Sequence, residues 1–144
     1  MKSTVRNQFS GTVEAVELAP VSAQVLIAMP GGEKIVATMT RTAAERLQLR
    51  PGAAAMALIK ASAIALVTDF DGYQLSARNQ FAGRISRLER GAVSSLVVVT
   101  LASGVSFTAT VTNDAVDALS LTPGAAATVV FKAYAVMVAA RPAA

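Results

Sequence analysis

Thr4 and Arg6 stand two residues apart, and Ser76 and Arg78 repeat the pair 72 residues further along the chain. On an extended strand, residues two apart point to the same face, so each pair predicts a hydroxyl beside a guanidinium. Lys60 and Lys132, two of only four lysines, keep the same shift. They sit in otherwise apolar stretches, Ala-Leu-Ile-Lys-Ala-Ser-Ala-Ile and Val-Val-Phe-Lys-Ala-Tyr-Ala-Val, with no carboxylate alongside. Thr40 and Thr112 add a third duplicated hydroxyl. Arg and Lys only donate, and a hydroxyl can donate, so the set suits a small tetrahedral oxyanion that has lost every proton. Charge-assisted hydrogen bonds contribute about 1.5–3 kcal/mol each, and three or four would give roughly micromolar binding, about −8 kcal/mol. Each residue also has a plainer use. A lysine can lay its stem on the core with its head in water, and a threonine at a strand end can cap a helix.

The 72-residue shift runs through the whole chain. Arg6-Asn7-Gln8-Phe9 recurs as Arg78-Asn79-Gln80-Phe81, Gly11 as Gly83, Thr38 as Thr110 and Pro51-Gly52 as Pro123-Gly124. A repeat this long predicts two copies of one small domain, 1–69 and 70–144. Units near 70 residues fold marginally alone and need each other or a neighbouring subunit. In copy one, residues 4–18 read as a long strand bent at Gly11. Residues 21–29 and 34–40 form a hairpin across Pro30-Gly31-Gly32. Thr42 and Glu45 have capping-box spacing and predict one short helix, which Arg50-Pro51-Gly52 ends. Residues 53–67 read as one long final strand with Lys60 inside it. Copy two repeats the order, after a short polar linker over 69–74 that contains Asp71-Gly72. The fold class expected is all-β, two tandem OB-like Greek-key barrels, each with one short helix.

Composition removes whole classes of function. The chain has no cysteine and no histidine, which excludes disulfides, thiolate nucleophiles, imidazole bases and nearly every zinc or transition-metal centre. Of nine carboxylates, only Glu17/Glu89 and Glu45/Asp117 recur, and nothing sets two together for acid–base work. There is no glycine-rich phosphate loop. The expectation is a binding protein rather than an enzyme, with no organic cofactor. Net charge is +4. Arg84, Arg87 and Arg90 form a strip at spacing three, but without aromatic interleaving, a helix-turn-helix pattern or a counterpart at Thr12, Ala15 and Leu18. No nucleic-acid partner is expected. The chain is 53% hydrophobic, yet no apolar run approaches the roughly 18 residues of a spanning helix. The opening residues have no apolar leader segment. Together these predict a cytoplasmic homo-oligomer that spends its excess apolar surface on subunit contacts, with no membrane partner.

At this point the chain resembles a known family. Ser-Ala-Arg-Asn-Gln-Phe-Ala-Gly at 76–83, Val-Thr at 111–112, Leu-Ser-Leu-Thr-Pro-Gly at 119–124 and Phe-Lys-Ala at 131–133 are similar to the Mop (TOBE-type) domain. Lys60-Ala61-Ser62 matches its Lys-Ala-Ser signature more fully. Two such domains and little else look like the molbindins, small cytoplasmic molybdate-binding proteins. The resemblance implies a homotrimer of paired barrels with molybdate or tungstate held between domains and subunits. It implies anion contacts from Thr4 with Arg6 and from Ser76 with Arg78. The facing groups it implies are Thr40, Thr112, Lys60, Ser62 and Lys132, with the backbone at Ala61 and Ala133. Two departures matter. Tyr134 replaces the serine of the second signature, and Ser22 and Ser94 replace an asparagine in a turn near which family members hold further anions. The copies are therefore expected to be unequal, with the Lys60-Ala61-Ser62 site the better one. The function implied is storage and homeostasis of the oxyanion. The alternative is an anion-sensing module that grips a partner protein. No DNA-binding or ATPase domain accompanies the repeats, which favours the first.

Overall fold

The computed structural model describes residues 1–143. Alternating small and β-branched residues build the strands, and the alternation decides which face is covered. In β2 (Ser22–Ala28) the buried positions are Ala23, Val25 and Ile27, and in β7 (Ser94–Thr100) they are Ser95, Val97 and Val99. Copy one continues with β1 (Asn7–Leu18), β3 (Lys34–Thr40), α1 (Arg41–Arg46), β4 (Ala54–Ile59), a 3-10 turn (Ala61–Ala63) and β5 (Ala65–Val67). Copy two supplies β6 (Asn79–Arg90), β8 (Ser106–Thr112), α2 (Asn113–Ala118), β9 (Ala126–Phe131), a 3-10 turn (Ala133–Ala135) and β10 (Val136–Ala139).

The strands form two five-stranded antiparallel sheets, ordered β10-β4-β1-β2-β3 and β5-β9-β6-β7-β8. In the first, β10 also lies against β3; in the second, β5 lies against β8. Each sheet thus curls into the partly open OB-like barrel that the repeat predicts. The compact units, however, are not the stretches 1–69 and 70–144. One consists of 1–59 with the described residues from Lys132 onward, and the other of 60–131. The cause is local. The final strand expected over 53–67 is broken by the turn at 61–63, and the strand that follows pairs with β9 rather than β4. Likewise β10 follows the turn at 133–135 and pairs with β4, Val136 opposite Ile59 and Met137 opposite Leu58. Lys60 and Lys132 are therefore strand-end residues, not strand-interior ones.

Three further boundaries differ from the sequence reading. β1 begins at Asn7, and its irregularity lies at Glu14, skipped between the pairs Val13–Ile27 and Ala15–Leu26, with Ser86 in the same place in β6. Gly11 has another use. A Cβ there would lie 2.6 Å from the carbonyl oxygen of Ala28, and one at Gly83 would lie 2.7 Å from that of Thr100. Glycine is thus required for strand-to-strand approach rather than for the bend. Finally, α1 starts at Arg41 because Thr40, not Thr42, is its N-cap. Glu45 bonds Arg41 Nε instead of reaching back to a cap. Each core sits inside its own barrel: Val25, Ile27, Ile35 and Ile59 in the first, and Phe107 and Phe131 in contact with Phe81 in the second. Among the described residues no helix is long and apolar enough to cross a membrane.

Replacing Gly83 by alanine is expected to destabilise the protein by about 1–3 kcal/mol, the range for forced overpacking. Urea unfolding should show the midpoint falling.

Candidate functional site

The last rung of the β1–β4 ladder pairs Asn7 with Ile59, and that of β6–β9 pairs Asn79 with Phe131. Arg6 and Lys60 are the next residues beyond the first rung, and Arg78 and Lys132 those beyond the second. Each ladder end therefore carries the guanidinium and the ammonium of one copy. The motif Arg-Asn-Gln-Phe now has a reason for every letter. Asn7, only 3% exposed, donates from Nδ2 to the Ile59 carbonyl at 3.0 Å and locks the rung. Asn79 is 1% exposed in the matching place. Gln8 Nε2 donates to the Val5 carbonyl at 2.8 Å, and Gln80 Nε2 to that of Ala77 at 2.9 Å. These bonds brace the bends that present Thr4 with Arg6 and Ser76 with Arg78. Those residues precede the strands, so the brace, not strand alternation, positions them. Phe81 reaches the core. The asparagines and glutamines were absent from the sequence-derived site, although their exact repetition was a visible signal.

Lys60 and Lys132 are exposed residues at the start of the two 3-10 turns, with φ of −65° and −76°. No buried ammonium has to be neutralised. Ala61 and Ala133 are buried immediately after them, which leaves their side-chain positions room for little more than a methyl group. Ser62 is exposed, and Tyr134 in the corresponding position is 78% exposed. Thr40 and Thr112 are not part of the ladder ends. They close β3 and β8, opposite Ser22 and Ser94, and accept from the amides of Ala43 at 3.1 Å and Ala115 at 3.2 Å. The capping role is thus real, and a hydroxyl that accepts from an amide still has its own proton to donate. β3 packs against the 133–135 turn and β8 against the 61–63 turn.

Three cations away from the ladder ends are matched with carboxylates: Lys34 with Glu14 at 3.0 Å, Arg41 with Glu45 at 2.6 Å, and Arg87 with Glu89. Arg90 grips Asp117 through two bonds of 2.8 and 2.9 Å. That hydrogen bond holds the Asp117 carboxyl below its ordinary value and raises the Arg90 guanidinium. Arg84 donates to the Gly124 carbonyl at 2.9 Å. The strip at 84, 87 and 90 is thus committed to contacts within the chain. Among the described residues no group of three or more carboxylates could hold a metal ion. Just beyond each ladder end the chain carries two donors, a guanidinium on one strand and an ammonium on the other.

Two small β-barrels, each closed with a strand from the other copy of the repeat, define a tandem β-barrel module. The chain belongs to the TOBE-domain family, whose domain matches residues 3–66 and again 75–138. The molybdenum transport protein ModE of Herbaspirillum seropedicae is 63% identical over 139 residues, 96% of this chain and 52% of that protein. The molybdenum-pterin-binding protein MopA of Rhodobacter capsulatus is 36% identical over 139 residues, again 96% of this chain and 52% of its own length. The chain spans about half the length of the curated relatives it matches. A crystal structure of the cytoplasmic molybdate-binding protein ModG, with molybdate bound, is 42% identical with a TM-score of 0.95. It covers 98% of this chain and 100% of that one.

Because the pair with Arg90 depresses the Asp117 value, its contribution is present above the ordinary carboxylate value of 3.8 and lost as pH falls through the lower folded value. An NMR titration should find the Asp117 midpoint below 3.8, and Arg90→Ala should return it to the ordinary range.

Proposed function

We propose that this chain binds molybdate, and tungstate with it, reversibly and without catalysis, as a cytoplasmic store of the oxyanion. The observation that carries the reading is the whole-chain match to molybdate-bound ModG in a chain whose duplicated ladder ends bear Arg6 with Lys60 and Arg78 with Lys132. Molybdate at neutral pH is a tetrahedral dianion with oxygens to accept on every side and no proton to give. In this reading Arg6 and Lys60 supply charge, Thr4 and Ser62 supply hydroxyl donors, and the amides around Ala61 close the shell. Ser76, Arg78, Lys132 and Ala133 do the same in the second copy, and Thr40 and Thr112 turn their hydroxyl protons to an anion from the strand ends. Selection against sulfate rests on anion size and donor count.

The donors other than the two alanine backbones are exposed in a single chain. A second surface is needed to strip water from the anion, and a homotrimer of this chain would provide it. Anion binding then stabilises the assembled form, because a ligand held only by the assembly shifts the equilibrium toward it. Tyr134 stands where Ser62 stands in the other copy, so the second site loses a small donor and gains a bulky ring.

A second reading uses the same site. The chain spans only about half of its ModE relatives, which fits a sensing module that transmits anion binding to a partner. Molybdate-dependent capture of a second protein, giving particles larger than the homotrimer in light scattering, would favour it over storage.

Isothermal titration of anion-stripped protein with molybdate tests the proposal. Lys60→Ala should weaken binding by about tenfold or more, the loss of one charge-assisted bond, and Lys132→Ala by clearly less. Equal losses would contradict the inequality of the copies.

A further inference from the structure

A cleft of about 560 Å³ opens in the first unit between residues 139–143 and the strand segments around Gly11 and 54–56. Its volume lies within the usual range of small-molecule sites. Met1, Leu47, Met56 and a run of alanines give it apolar walls. Among the described residues its only charged lining side chains are Arg50 and Arg141, and neither Asp nor Glu lines it.

The internal repeat supplies a control. By the 72-residue shift, Arg50 corresponds to Thr122 and Arg141 to Asp69. The paired cations belong to the first unit alone, and one is reversed in sign in the second. Gln48, just past the end of α1, holds the left-handed conformation with φ of 53°, as its counterpart Ser120 does past α2 with φ of 51°. From there its Oε1 accepts from the Ala143 amide at 3.1 Å and ties the terminal residues across the opening.

We infer that this cleft binds a small organic anion, a carboxylate or phosphate carried on an apolar body. The guanidinium forks of Arg50 and Arg141 take the oxygens of the head, for which their planar donor geometry is matched. The alanine and methionine walls take the body. A bare tetrahedral oxyanion has no apolar part to place there, so this site and the ladder ends select different ligands. The inference does not depend on the oxyanion reading.

The probe is 1-anilinonaphthalene-8-sulfonate, an organic anion with an apolar ring system, added to the full chain with and without saturating molybdate. Saturable binding of one probe per chain, unaffected by molybdate, is expected. Amide shifts should centre on Gln48, Ala54 and Ala140. Arg50→Ala with Arg141→Ala should weaken it about tenfold or more, and Ala54→Trp, at an exposed strand position, should block it. The Thr122→Ala control in the second unit should leave it unchanged. Undiminished binding in both cleft variants, displacement by molybdate, no binding at all, or shifts spread over Val21, Tyr73 and Val93 would each overturn the proposal. So would loss of the oligomer in Ala54→Trp, which would make the cleft a subunit contact.

Discussion

The hydrogen bond from Asn7 to the Ile59 carbonyl closes the ladder on which the rest of the molecule depends. A buried amide left unpaired costs about 1–3 kcal/mol, so the rung is held firmly. Beyond it the chain has two obligations. On the β1 side it must present Arg6 from a bend that Gln8 braces. On the β4 side it must leave the strand at Lys60 and enter a 3-10 turn whose alanine is buried. A cation thus stands on each strand just past a fixed point, and the apolar strand ends before an ammonium would have to enter it. Copy two builds the same end around Asn79 and Phe131.

The turn after each lysine also determines how the barrels are completed. A strand continuing straight from β4 would keep each repeat self-contained. The turn instead sends β5 to β9, and the equivalent turn sends β10 to β4. Each sheet therefore takes its fifth strand from the other repeat. The residues most suited to anion binding and the residues that redirect the chain are the same short segment, Lys-Ala-Ser or Lys-Ala-Tyr.

Elsewhere the two copies reach one geometry by different chemistry. The turn carbonyl of Ala19 accepts from Arg41, and its counterpart Gly91 accepts from Asn113. Glu45 is held by Arg41 within the helix, whereas Asp117 is held by Arg90 from β6. The Glu14–Lys34 ion pair of copy one becomes a chain of hydroxyls through Ser86, Thr100 and Ser106 in copy two. Against this drift, the unchanged Arg-Asn-Gln-Phe and Lys-Ala segments stand out. That contrast is why the repeat, the all-β class, the hairpins and the donor residues proposed for the anion could be read from sequence. The strand exchange could not, because a residue's partner across a sheet leaves no mark in its own spacing. Nor could the helix start, since Thr42 has the capping-box spacing to Glu45 while Thr40, with Ala43 in that place, is the residue whose hydroxyl accepts from the Ala43 amide in the packed structure. The glycines were correctly marked as special but for the wrong reason: close approach of a carbonyl is a property of the neighbouring strand.

The central claim is that a fixed ladder end, bearing one guanidinium and one ammonium, is an oxyanion site. Crystals grown with tungstate test it most directly, because tungsten scatters anomalously and locates itself. The account predicts a tungsten peak within hydrogen-bond reach of the Arg6 guanidinium and the Lys60 ammonium. Tungsten found only away from both ladder ends, or none at all at saturating concentration, would contradict it.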